Sequence, residues 1–295
     1  MNKFITIFLT FFLVTSCAQT KTDMVVTITT KYGDMIAILY DETPKHKENF
    51  LKLAEAKYYD GLLFHRVIKG FMIQTGDSAS RVSKPGEPLG MNGKRYTISP
   101  EFNSKFFHDK GALSAARLPD DRNPKKESSG SQFFIVQGTV LAPDDITTMT
   151  YNIPNIMSGL RQMFEKPEYK PMLDSLNQLY FSGDMEAYQK KVIGLAPLVE
   201  SVTGLTVKRE SDGVAEAKLK AYSTVGGAPN LDMEYTVFGH IIKGFDVIDK
   251  IANLEGDGRD RPIDDVYLSV TVKKMSRKKI TKEYGYTFPE ATSSK

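Results

Sequence analysis

The sequence predicts a mainly β fold, a barrel or sandwich interrupted by a helical insertion. Short runs of alternating apolar and polar residues recur towards both ends of the chain, and only two helical stretches lie among them. Between residues 141 and 228 the apolar spacing becomes helical. A structureless loop of that length runs against the connections found inside compact domains, so the region reads as two or three amphipathic helices.

In chain order, Met24 to Thr29 and Met35 to Tyr40 alternate as strands around a turn at Lys31-Tyr32-Gly33-Asp34. Pro44 to Ala56 reads as a helix with Thr43 as N-cap, Pro44 in its first turn, and Phe50, Leu51, Leu53 and Ala54 as its buried stripe. Residues 80–95 are rich in Gly, Pro and charge and read as an irregular loop. Tyr96 to Ile98, Gly111 to Arg117, Gly130 to Val136, Leu231 to Ile242 and Val266 to Val272 read as further strands, and Gly244 to Asn253 as the second helix. In the middle region Met172, Leu173, Leu176, Leu179 and Tyr180 form one stripe, and Met185, Tyr188, Val192 and Leu195 another. Asp184 is a candidate cap there, and Pro197 a kink or a stop.

The 295 residues carry a formal net charge of +3, so nothing calls for a nucleic-acid partner. Lys3 followed by the apolar run Phe4 to Val14 reads as a targeting segment, too short to span a bilayer as a stable helix. It leads through Leu13-Val14-Thr15-Ser16 into Cys17, the single cysteine of the chain, and resembles a bacterial lipoprotein signal in which that cysteine becomes lipidated. A lone cysteine has no disulfide partner, which favours the lipid role. The expected organisation is a signal over residues 1–17, a tether over 18–23, a β domain over 24–140 and 229–275, the insertion over 141–228 and a tail over 276–295. The expected setting is the cell envelope, facing the periplasm or the exterior, as a monomer tethered to a lipid bilayer.

The most informative stretch is Phe64-His65-Arg66-Val67-Ile68 followed by Phe71-Met72-Ile73-Gln74. Alternation lets Arg66, Phe71, Met72 and Gln74 line one apolar pocket with a single permanent cation at its edge, suited to a ligand with an apolar ring and a carbonyl. On the same alternation His65 points away from that pocket and reads as a hydrogen-bonded structural histidine. An ordinary core strand with a surface arginine is the plainer reading of this stretch alone.

Three motifs in order, that stretch, Gly111 to Arg117, and Ser129-Gly130-Ser131-Gln132-Phe133-Phe134, with Leu231 and Val237-Phe238-Gly239 after them, closely resemble a cyclophilin, a peptidyl-prolyl cis–trans isomerase. The resemblance covers about Met24 to Val140 and Asn230 to Lys274. It implies an eight-stranded antiparallel β-barrel capped by two helices, with the α-helical insertion emerging at the rim of the active site. Carried over by position, Arg66 is the catalytic arginine and Gln74 the glutamine that orients it. Phe71, Met72, Phe134 and Leu231 match the proline pocket, while Ala116 and Gln132 match positions beside the substrate chain. Arg117 stands where eukaryotic members usually carry Asn, and Tyr235 where many carry a pocket histidine. The pocket tryptophan of many relatives is missing, with Asn230 near its place, so weak cyclosporin-type binding is expected. The substrates implied are proline-containing unfolded or exported polypeptides.

Rotation about an Xaa–Pro bond breaks no bond, so no nucleophile, metal, cofactor or proton relay is expected. His46, His108 and His240 have no metal-ligand spacing, and Glu255-Gly256-Asp257-Gly258 with Asp260 lacks a full calcium ligand set and reads as a solvated turn. Ser131 has no partnered base. The competing expectation is a tethered chaperone or binding module that grips unfolded chains through the same surface and the insertion. A third is a docking site for an envelope partner on the insertion.

Overall fold

The computed structural model describes residues 21–209 and 211–288. The proposed signal and Cys17 lie outside the described residues. The strands are β1 (Thr22–Thr30), β2 (Gly33–Leu39), β3 (Leu62–Leu63), β4 (Arg66–Ile68), β5 (Met72–Thr75), β6 (Thr97–Ile98), β7 (Ala112–Ala115), β8 (Ser128–Ser129), β9 (Phe133–Val136), β10 (Val237–Lys243) and β11 (Tyr267–Ser276). The helices are α1 (Pro44–Glu55), α2 (Pro143–Thr150), α3 (Ile153–Phe164), α4 (Lys170–Ser182), α5 (Met185–Gly194), α6 (Ala196–Thr203), α7 (Asp212–Thr224), α8 (Phe245–Ala252) and α9 (Arg277–Tyr284).

The main antiparallel sheet runs β3-β11-β1-β2-β10-β7-β9-β5-β4. Its two edge strands are neighbours in the chain, separated by Phe64 and His65 alone. Leu62 and Leu63 pair with β11, and Arg66 to Ile68 pair with β5, so one broken segment joins both edges. Counting that segment once gives the eight-stranded barrel implied by the resemblance, and closure removes the free edges of an open sheet. The barrel interior takes Val26, Ile28, Met35, Leu113, Phe133 and Ile135, covered by Phe50 and Leu53 of α1 and by Val247, Ile248 and Ile251 of α8.

Pleat alternation sends the other residues of the same strands outward. Phe133 and Ile135 of β9 join the interior, while Phe134 and Val136 join a second apolar cluster with Met72, Ala112, Ala116 and Leu231. Register then aligns the outward residues. Arg66 stands opposite Gln74, Gln74 opposite Phe134, and Phe134 opposite Ser114, one row across four strands.

Several expected limits move. The strand expected over Leu231 to Ile242 begins at Val237, because Pro229–Leu231 forms a 3-10 turn and Met233 takes φ 61°. Among the described residues, 141–228 hold six helices instead of two or three, because α2, α3, α6 and α7 lie outside the two apolar stripes, which mark α4 and α5. Asp184 caps α5 as expected by accepting from the Ala187 N–H. Pro197 lies in the first turn of α6, where its missing N–H costs nothing, and so opens a helix. Thr43 makes no side-chain cap, since its hydroxyl donates to the Tyr40 carbonyl. Thr22 and Asp23 belong to β1 instead of the tether, and residues 277–284 of the tail form α9. The buried Ile280 of α9 packs with Val25, Ile36, Ile38 and Met275.

The helical region has its own core, with Ile156, Leu160, Met163, Leu176, Val192 and Val199 buried together. Its two chain ends touch. Thr139 bridges Gly227, and a Cβ on Gly138 would stand 2.3 Å from the Gly227 Cα, so the crossing needs two glycines. Both ends lie close to the outward cluster, since Phe134 precedes the exit and Leu231 follows the return.

Candidate active site

A pocket of about 530 Å³ opens on the outward cluster. It brings together Arg66, Phe71, Met72, Gln74, Ala116, Arg117, Phe134, Leu231 and Tyr235, nine of the ten site residues expected on the barrel. The tenth, Gln132, stands one step away and accepts from Gln74 Nε2 at 3.1 Å. Its own amide donates to the carbonyls of Gly90 and Asn92 at 3.0 and 3.1 Å, which ties the irregular loop to the site. Gln74 Oε1 in turn accepts from Arg66 Nη1 at 3.4 Å. The chain Gln132, Gln74, Arg66 therefore holds a half-exposed guanidinium at the start of the row that runs through Phe134. Gly76, at φ 95°, makes this possible, since any Cβ there would stand 2.2 Å from the Ser131 carbonyl oxygen.

The pocket wall beyond Phe134 is aromatic and ionic. The Phe134 and Tyr235 rings meet edge to face at 5.7 Å. The Arg117 guanidinium lies 4.6 Å over Tyr235, donates to the Glu234 carbonyl at 2.7 Å, and pairs with the Glu234 and Asp120 carboxylates. Lys126 also pairs with Glu234. With its side chain 5 % exposed, Arg117 is committed to building the wall.

Three expectations about this site are corrected. The pocket has more than a single cation, since Arg117, Arg122, Arg259 and Arg261 line it with Arg66. The turn carrying Asp257 and Asp260 faces the pocket and is more than a solvated loop. Asp260 Oδ2 lies 3.5 Å from Arg66 Nε, and the buried Arg261 holds Asp265 with two bonds of 2.9 and 2.8 Å. His65 also lines the pocket, because it sits at the break between β3 and β4, where alternation does not carry across. It is buried at 3 % exposure, and neither ring nitrogen makes a hydrogen bond of ordinary geometry among the described residues. Burial, opposed by the Asp77 charge and reinforced by that of Arg66, holds its pKa down to about 4. A neutral ring at physiological pH follows.

Sequence reasoning read Asp260 and its turn as solvated and did not link them to Arg66. Nothing in the spacing links residues 66 and 260, and only closure of the barrel brings them together. It weighed His108 only as a metal ligand, and the structure buries it fully with its ring nearly parallel to Phe134 at a centroid distance of 6.1 Å.

The family model for cyclophilin type peptidyl-prolyl cis-trans isomerases matches residues 25–153 and 205–272. The interruption falls on the stretch that carries α3 to α6. A Staphylococcus saprophyticus protein named as a peptidyl-prolyl cis-trans isomerase is 32% identical over 241 residues, covering 80% of this chain and 85% of its own. A Streptococcus pyogenes protein named as a bifunctional phosphatase/peptidyl-prolyl cis-trans isomerase is 31% identical over 249 residues; the match takes in 82% of this chain and 37% of that longer protein. Among solved structures, a Cryptosporidium parvum cyclophilin crystallised in the presence of the dipeptide Ala-Pro aligns with a TM-score of 0.46 and 21% identity, over 84% of this chain and 98% of that one. The fold and the site define a cyclophilin-type barrel. This chain belongs to the cyclophilin-type peptidyl-prolyl cis–trans isomerase family.

Proposed function

We propose that this chain accelerates rotation about Xaa–Pro bonds of unfolded or exported polypeptides, with Arg66 as the catalytic residue. Amide resonance sets an uncatalysed barrier of about 18–20 kcal/mol, and Xaa–Pro bonds exchange over tens to hundreds of seconds. Reaching milliseconds takes roughly 10⁴- to 10⁵-fold, or about 6 kcal/mol. The proline ring packs between Phe71, Met72, Phe134 and Leu231. Arg66 donates to the substrate carbonyl or to the prolyl nitrogen as it turns pyramidal. Either bond strengthens as resonance is lost, so it favours the twisted state over both planar ones. A hydrogen bond from a charged donor contributes about 1.5–3 kcal/mol, and the shaped apolar wall supplies the remainder. Arginine suits this role because its fork of donors does not deprotonate.

The observation that carries the reading is the Gln132–Gln74–Arg66 chain, which holds a guanidinium at the edge of an apolar pocket. Its test is NMR exchange spectroscopy on an Ala-Pro tetrapeptide with the purified chain. Accelerated cis–trans exchange supports the reading; binding without acceleration contradicts it.

The sequence features at Lys3, Phe4 to Val14 and Cys17 support a lipid-anchored enzyme on the outer side of a membrane. Labelling with a radioactive fatty acid, lost in Cys17→Ala, tests this. A second reading, a holdase for unfolded chains, draws on α4, where Phe181 is 82 % exposed beside the exposed Tyr180. Suppression of aggregation that survives in Arg66→Ala would separate that activity from catalysis.

A further inference from the structure

We propose that Lys218 and Tyr222 of α7 are positioning residues of the isomerase pocket, holding its proline wall through Asp232 and His108. The inference rests on the reading of this pocket as the prolyl site and adds to it a role for the last helix of the insertion.

Asp232 follows Leu231, a wall residue, and is nearly buried. Its Oδ1 accepts from the His108 backbone N–H at 2.9 Å and from the ring Nδ1–H at 3.0 Å. The Tyr222 hydroxyl donates to the same carboxylate at 2.9 Å, and Lys218 Nζ pairs with Oδ2 at 2.7 Å. These donors account for all the acceptor capacity of a carboxylate. Burial acts to raise the Asp232 pKa, but the bonds from His108 and Lys218 outweigh it and leave it lowered. The carboxylate is therefore ionised and fully bonded, and two of its four donor contacts come from outside the barrel.

The cluster leads directly to the wall. Burial keeps the His108 ring neutral. On the other side of the ring, Nε2 lies 3.0 Å from the Ser114 hydroxyl oxygen, and that hydroxyl donates to the Thr236 carbonyl at 3.0 Å. Ser114 stands opposite Phe134 in the row that begins at Arg66, and the His108 ring lies parallel to Phe134. Asp232 thus fixes the wall at two points, through Leu231 beside it and through the ring against Phe134. Met233, next in the chain, holds φ 61°, a strained value for a methionine. Such strain persists only where the surroundings over-determine it. Here Asp232 is anchored on one side, and Glu234 is held by Arg117 and Lys126 on the other.

A buried ion pair is weak evidence of stability, because apolar residues of similar volume often do as well. What Lys218 and Tyr222 supply is geometry. The approach of α7 is also built in. A Cβ on Gly227 would lie 2.4 Å from both the Tyr222 ring and the His108 carbonyl oxygen, and the Leu141 N–H donates to the Tyr222 carbonyl at 3.0 Å.

The test measures the affinity for an Ala-Pro tetrapeptide and the exchange rate of the bound peptide in the full chain. Lys218→Met is expected to weaken binding about fivefold, as for other pairs coupled by contact, while bound exchange stays within about twofold because Arg66 is untouched. Lys218→Arg restores affinity. Ile280→Ala, which loosens α9 away from the site, leaves affinity unchanged. Tyr222→Phe removes one hydroxyl and weakens binding about twofold to threefold, which serves if Lys218→Met does not fold. Wild-type affinity in Lys218→Met or Tyr222→Phe, or an equal loss in Ile280→Ala, overturns the inference. A wild-type chain that binds no prolyl peptide contradicts the isomerase reading itself.

Discussion

Asp260 holds its carboxylate 3.5 Å from Nε of Arg66, while Gln74 engages Nη1 of the same guanidinium. The two contacts differ in kind. Gln74 is a neutral acceptor fixed by Gln132, whereas Asp260 is a counter-charge on a turn that Val67 ties down through a 2.7 Å backbone bond. Both members of the ion pair are about half exposed, 44 % and 49 %, so solvent screens them. Asp260→Asn keeps a residue type that tolerates the φ of 64° found there. Because exposed pairs are worth at most about 1 kcal/mol, kcat/KM should change less than about fivefold. The change should shrink in 0.5 M salt, and steady-state assays at two ionic strengths check it.

Gln132 should matter more. It is buried and bonded to Gln74 and to the carbonyls of Gly90 and Asn92. Gln132→Leu leaves those groups without partners, at a cost of about 1–3 kcal/mol in stability, and frees Gln74 to release Arg66. A denaturant titration beside an exchange assay should find both stability and turnover reduced. Loss of stability with unchanged turnover would show that the relay does not position Arg66.

The buried His65 gives stability a pH dependence. Its folded pKa of about 4 lies below the ordinary 6.5, so between those values the unfolded chain binds a proton that the folded chain refuses. Stability is complete above pH 6.5 and falls as the pH drops towards 4, by about 3 kcal/mol for this group. His46 and His108, also held down by burial, add in the same direction, while His240, raised beside Asp109, opposes them. His65→Leu should flatten the slope of melting temperature between pH 4 and 6.5 without abolishing it. An unchanged slope would place the titration elsewhere.

The C-terminal helix belongs to the barrel. Ile280 is fully buried against Val25, Ile36, Ile38 and Met275, and Arg277 pairs with Asp23 and Asp41 at 3.1 Å each. Ile280→Ala should cost about 2–4 kcal/mol, as other large-to-small core changes do, with turnover on peptides preserved at temperatures where the chain is folded. Thermal melts read with activity check both halves.

Part of the site was legible because alternation is a local consequence of the sequence, and it put Arg66, Phe71, Met72 and Gln74 at one pocket. Phe134 and Leu231, from distant segments, were reached only through the resemblance to the cyclophilin motifs. Alternation failed at His65, where the strand breaks to close the barrel. It was silent on Asp260, which reaches Arg66 only through that closure. The apolar stripes of residues 141–228 reported buried helical faces without their partners. They gave no sign that Lys218 and Tyr222, polar groups on the last helix, meet Asp232 beside the pocket. The number of helices was harder still, since α2, α3, α6 and α7 lie outside the two stripes, which mark α4 and α5.

The central claim is that Arg66 stabilises the twisted amide, and it is tested most directly by the bound-state exchange rate of an Ala-Pro tetrapeptide in wild type and Arg66→Ala. A charge-assisted hydrogen bond of about 1.5–3 kcal/mol made mainly in the twisted state predicts a fall of about tenfold to a hundredfold, with peptide affinity little changed and the fold intact. Wild-type exchange in Arg66→Ala would contradict the account.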